Sequence, residues 1–240
     1  MKKTLIIIVT TLLLGFLSGC SDSKSNSDYL FYFTQNQKSE TNFDSEIEET
    51  HYIALKNEIS TLKLSRTIDS DENNIESTSD CEIFDSFENC ISTLTDKGKI
   101  KSSVLPYVVK IGNYAILEKE DFIKIRNYIT KIENEAFGLL TKEDFDLLLQ
   151  YGESFKAALK IGEEDILDSD SNSRNIFNNI WHAVNFAISV SVGALLGFGL
   201  GYLLTGSLVG AIPTAICFAI GSGIVSYKTG GIAIGYARKD

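Results

Sequence analysis

Residues 183–227 read AVNFAISVSVGALLGFGLGYLLTGSLVGAIPTAICFAIGSGIVSY and contain no Asp, Glu, Lys or Arg. A helix needs about 20 apolar residues to cross a hydrocarbon core of roughly 30 Å. The run is long enough for two crossings, with Thr205, Gly206 and Ser207 as the turn between them. Lipid offers the backbone no hydrogen-bond partner, so each crossing must pair its amides internally, as a helix does. Spans over residues 183–204 and 208–227 are therefore expected, within a membrane segment covering 171–240. That expectation sets the fold class: mainly α, with a small acidic helical domain, short strands at most, and a two-helix transmembrane hairpin.

Within the run, Gly193, Gly197 and Gly201 recur every four residues and so share one narrow helix face. A face without side chains lets another backbone approach closely. Beyond the turn, Gly210, Thr214, Cys217 and Gly221 continue a small-residue stripe at 4-3-4 spacing, so the two stripes are expected to face each other or a second copy. Pro213 fits if the second helix starts near Gly210, which puts the ring in its first turn. Here the chain resembles the glycine-zipper two-helix segments of several bacterial envelope lipoproteins and some pore-forming proteins. The likeness implies membrane location and self-association; the Pro and the large acidic domain before the hairpin depart from the lipoprotein type.

The other end of the chain is also apolar. In MKKTLIIIVTTLLLGFLSGC, Lys2 and Lys3 precede a greasy stretch over residues 5–17 that is short for a span. The closing Leu17-Ser18-Gly19-Cys20 resembles the lipobox of bacterial lipoprotein precursors. The resemblance implies removal of residues 1–19 as a signal peptide, a diacylglycerol on the Cys20 thiol, and an acyl group such as palmitate on its new amino group. Each buried methylene contributes about 0.8 kcal/mol, so several chains anchor firmly. In a Gram-negative host, Ser21 resembles a residue that permits passage to the outer membrane. Residues 20–50 then form a polar tether, interrupted by the aromatic run YLFYF at 29–33, which is read as a short strand ahead of the alternative, a patch at the lipid headgroups.

Formal charge is −10 overall. Setting aside Lys2 and Lys3 at the front and Lys228, Arg238, Lys239 and Asp240 at the back leaves 17 basic and 31 acidic residues between. Such a surface repels nucleic acid, which is excluded as a partner. The acidic domain is placed at residues 51–170. Leu55, Ile59, Leu62 and Leu64 are roughly helical in spacing. The pattern L-x-K-E-D-F-x₅-Y occurs at Leu117 and again at Leu140, and Thr141 with Asp144 reads as a capping box. Phe122, Ile125, Ile129 and Ile132 make one apolar face, Phe145, Leu148 and Leu149 a second, and Phe155, Ala158, Leu159 and Ile166 a third. Packed amphipathic helices are expected. Cys81 and Cys90, in an exported chain, are expected to form a disulfide, contributing about 2.7 kcal/mol on the chain-entropy model.

Trp181, Tyr202 and Tyr227 fall near the span ends, as interfacial aromatics do. Arg174, Lys228, Arg238 and Lys239 flank the hairpin, and the positive-inside rule would keep them cytoplasmic. An exported lipoprotein puts both flanks outside; an uncharged tip crosses from either side, so the export signal takes precedence. The tail TGGIAIGY at 229–236 either extends the second helix or lies at the interface.

No chemistry is legible. His51 and His182 have no serine, cysteine or carboxylate at catalytic spacing. Asp69, Asp71, Asn73 and Asp80 begin like a calcium loop but carry Asn74 where glycine is needed, and the run from Asp168 fails similarly at Ser173 and Asn179. No cofactor and no metal are expected. The reading is a non-enzymatic envelope lipoprotein, attached to the bilayer at both ends, structural or scaffolding an envelope partner. The rival is a pore-forming or effector protein, because a charge-free hairpin behind acidic helices resembles the covered hairpin of pore-forming colicins.

Overall fold

A computed structural model describes residues 44–68, 81–167 and 180–235, the side chains of 62–68, 81, 166 and 167 excepted. The signal segment, Cys20, the tether, YLFYF and both calcium-like runs lie outside the described residues. Among those described, seven helices and two short strands follow one another: α1 (Glu46–Ile68), β1 (Cys81–Phe84), α2 (Phe87–Asp96), α3 (Leu105–Leu117), α4 (Phe122–Ala136), α5 (Lys142–Leu167), α6 (Ile180–Thr205), α7 (Leu208–Thr229) and β2 (Ile232–Gly235). The fold is mainly helical, and α6 and α7 are both long and apolar enough to cross a membrane.

Local chemistry starts these helices. Ser45 Oγ accepts from Glu48 N at 3.0 Å while the Glu48 carboxylate accepts from Asp44 N at 2.9 Å, a reciprocal cap on α1. Ser86 caps α2 by accepting from Asn89 N. At α5 Thr141 Oγ1 accepts from Asp144 N at 3.3 Å, the bond its sequence predicts. The sequence echo does not carry the same register, however. In the first copy Asp121 itself is the cap, accepting from Lys124 N, and α4 starts one residue later. In the second copy the helix starts three positions earlier relative to the motif. The difference comes from Glu118, which stands where Thr141 stands and ends α3 instead of opening α4. Asp144 is thereby free to take Lys101 and Ser103, each at 2.8 Å.

The expected apolar faces pack together. Ile125, Ile129 and Ile132 of α4 meet Leu148, Phe155, Ala158 and Leu159 of α5 in the core, with Leu55 and Ile59 of α1 joining them. The core extends into the hairpin. Helix α6 packs against α3, α5, α7 and β2, and α7 also touches α1. The two strands pair antiparallel, Cys81 opposite Gly235 and Phe84 opposite Ile232, so a strand between α1 and α2 and one after the hairpin share a sheet.

Three expectations are corrected. Cys90 is a free thiol. Instead of closing a loop, Phe87, Cys90, Ile91 and Leu94 form the buried side of α2, and no disulfide is found among the described residues. Pro213 is not in a first turn, because α7 begins at Leu208 under a Ser207 cap, and the proline sits inside the helix. The tail does not extend α7 beyond Thr229: Gly230, at φ 73°, ends the helix in the left-handed conformation and residues 232–235 form β2.

Candidate functional site: the apolar hairpin and its cover

The turn between α6 and α7 is Thr205, Gly206 and Ser207, with Gly206 at φ 65°. Gly206 N donates to Tyr202 O, closing α6, and Ser207 Oγ accepts from Gly210 N, opening α7. From there the helices lie so close that only glycine fits on α6. A Cβ on Gly197 would stand 2.5 Å from Thr214 O and 2.9 Å from Ala215 Cα. One on Gly193 would stand 2.6 Å from Phe218 O, and one on Gly201 2.8 Å from Ala211 Cα. Gly193, Gly197 and Gly201 thus line the seam with α7.

The partner stripe differs from the expected one. Of the four small residues on α7 only Thr214 touches the α6 glycines. Gly210 packs against Thr205 in the turn, Cys217 is exposed, and a Cβ on Gly221 would meet open space. The seam is made by Ala211, Ala215, Phe218 and Ser222, one residue further along and so rotated by about 100°. Phe218 decides this, because burying a ring is worth more than burying Cys217.

Polar side chains on the hairpin have a specific use. Ser189 Oγ accepts from Ala233 N at 2.9 Å, and Ser222 Oγ accepts from Gly235 N at 3.0 Å. Asn185 Nδ2 donates to Gly230 O, and Ser226 Oγ donates to Gly231 O. Strand β2 therefore has β1 along one edge and hairpin hydroxyls along the other. Sequence reading overlooked this clasp, whose members are scattered over 50 residues and carry no local signal.

Burial is unequal across the hairpin. Of the most apolar 18 residues, 72% are buried in α6 but only 33% in α7. The face of α7 away from α6 carries Val209, Ile212, Ile216 and Ile220, each exposed or half-buried. Trp181 lies beneath Lys119 Nζ, 5.2 Å from its ring centroid, and Tyr202 Oη donates to Glu143 Oε1 at 2.7 Å. His182 packs on Gly230 beside the clasp.

Behind α6, a buried charge cluster joins α1, α4 and α5. Lys156, 1% exposed, lies 2.7 Å from Glu153 and 3.1 Å from Glu133. Arg126 lies 2.8 Å from Glu48 and 3.5 Å from Asp44, and donates to Lys156 O. Ser45 Oγ donates to Glu153, and His51 Nε2 bonds Gln150 Oε1 at 3.0 Å. Gly152 makes the room: a Cβ there would fall 2.1 Å from Glu133 Oε1. Burial pushes Glu133 well above the usual carboxylate range, with Glu153 adding to the effect, and burial also raises Glu48. Burial holds His51 below its ordinary value, so the ring is neutral. Burial would lower Lys156, but Glu133 and Glu153 outweigh it and keep the ammonium charged. These groups fasten α1 to the bundle. Among the described residues no cluster of His, Cys, Asp or Glu is placed to hold a metal ion.

No protein-family model, curated protein or solved structure matches this chain.

Proposed function

We propose that this protein is a non-enzymatic lipoprotein of the bacterial envelope, attached to its membrane by acylated Cys20 and by the apolar hairpin, with a structural or partner-scaffolding role. The carrying observation is the outer face of α7. It is a span-length helix without charge from Ser207 to Tyr227, and along that face Val209 is exposed while Ile212, Ile216 and Ile220 are only half-buried. Such a face is satisfied by hydrocarbon and not by water. Two attachments fix the distance and orientation of the acidic helices relative to the bilayer, which a single flexible tether does not.

The test is alkaline carbonate washing of vesicles bearing a Cys20→Ala version. Retention in the pellet supports the hairpin as a second anchor; release into the wash sinks it.

A second reading rests on its own observation. Helix α6 is buried from Ala183 to Phe198 among α3, α5, α7 and β2, so in this conformation that stretch has no side for lipid. A crossing by both helices requires α6 to leave α5, which is the arrangement of a protein that stows its hairpin and inserts it. Rapid dye leakage from liposomes at low protein supports that pore-forming reading, and intact liposomes oppose it.

A further inference from the structure

We infer that the hairpin tip, together with the α4–α5 connection, is the surface by which this protein first meets a lipid bilayer; the inference rests on the membrane reading above. Four large apolar side chains flank the turn: Leu200, Leu203, Leu204 and Val209, with Leu203 83% and Leu204 72% exposed. Phe137 and Leu139 of the α4–α5 connection are exposed as well, Leu139 at 74%. The two groups lie at the same end of the bundle. Tyr202 bonds Glu143 in the first turn of α5, and Phe137 packs edge-on against Phe145 with ring centroids 5.4 Å apart. The opposite end is marked by Trp181 beneath Lys119, with Leu117 and Ile123 nearby in sequence.

Charge identifies the occupant. A protein partner would be served by the six side chains alone. Here the patch continues on both sides of the turn into helices with no Asp, Glu, Lys or Arg from Ile180 to Tyr227, each long enough to cross hydrocarbon. Once Tyr202 parts from Glu143, contact at the tip can deepen along both helices without taking a charge out of water, which is the requirement of a bilayer. The acidic surface elsewhere favours neutral headgroups over anionic ones.

The experiment uses the full lipidated chain on phosphatidylcholine vesicles carrying bromine on the acyl chains. Trp181 is the sole tryptophan, so the natural protein reports the far end. A Trp181→Phe, Leu204→Trp version reports the tip. Quenching of the tip indole before or without that of Trp181 is expected. Equal quenching, or Trp181 first, overturns the inference. In the Cys20→Ala full chain, Leu203→Glu with Leu204→Glu should lower vesicle partitioning on the order of 100-fold, since two leucines lose their burial. Leu117→Glu, equally exposed at the other end, should leave it unchanged. If the double variant partitions normally, or if its only effect is to dissolve a dimer seen by sedimentation, the tip is not the contact. A Cys20→Ala chain with natural leucines that never stays with vesicles refutes the membrane reading itself, and the tip falls with it.

Discussion

Consider Gly197→Ala beside Gly221→Ala. Both glycines lie inside helices of the same hairpin, and both belong to its small-residue stripes. In an open site the change gains helix propensity, about 1 kcal/mol. Gly221 has no atom within 4 Å of its added methyl, so that variant should gain about 0.5–1 kcal/mol. At Gly197 the methyl would stand 2.5 Å from a backbone oxygen and 2.9 Å from a backbone Cα of α7. Backbone cannot rotate away, so α7 must retreat by about 1 Å, and a gap of that size forfeits a quarter to a half of each affected dispersion contact. Overpacking of this kind costs about 1–3 kcal/mol after propensity is set against it. The two variants should therefore differ by about 2–4 kcal/mol in urea unfolding of the full chain followed by circular dichroism. If Gly197→Ala is as stable as Gly221→Ala, the close seam described above is wrong.

Lys156→Met leaves Glu133 and Glu153 buried without their ammonium and should destabilise by about 3–5 kcal/mol, read from the same urea midpoints; Lys131→Met, on an exposed pair, should cost under about 1 kcal/mol. Burial pushes the half-buried Asp146 up to about 6, with Lys142 opposing and Glu143 assisting. A carboxyl raised on folding binds its proton more tightly in the folded state, so stability from this group grows as pH falls from above 6 towards 4. Allowing for solvent screening, the gain is about 1 kcal/mol between about pH 7.5 and 5, and Asp146→Asn should lack it. Glu133 and Glu48 act in the same direction, and His51 in the opposite one. An unchanged pH difference in the Asn variant would refute the assignment. Finally, burial pushes the Cys90 thiol up to about 12, so it should resist alkylation until urea is added. Mass analysis that finds Cys81 and Cys90 joined would overturn this.

Much of the helical framework was legible because it obeys local rules. Thr141 and Asp144 announce a cap, and Ile125, Ile129 and Ile132 announce a face. Helix α2 was missed although Phe87, Cys90, Ile91 and Leu94 have helical spacing, because the cysteine pair drew the interpretation towards a crosslink. The charge cluster was missed for a different reason. Lys156 and Glu153 resemble a solvated i, i+3 pair, and only the unbroken burial of α5 on every side makes them interior. The apolar run Phe155, Ala157, Ala158 and Leu159 around Lys156 was the available clue. Strand β2 had none, since its partners lie far away along the chain.

That distance has a temporal consequence. The N–H groups of Ala233 and Gly235 are held by Ser189 and Ser222, and Gly235 stands opposite Cys81. Every group that β2 fastens is synthesised before it. Until residue 235 has been made and delivered, both apolar helices lack their buckle, and the nascent chain is at its greasiest while it is also least closed. A chain released early, or stalled a few residues short, would present an open hairpin to whatever surface lies nearest.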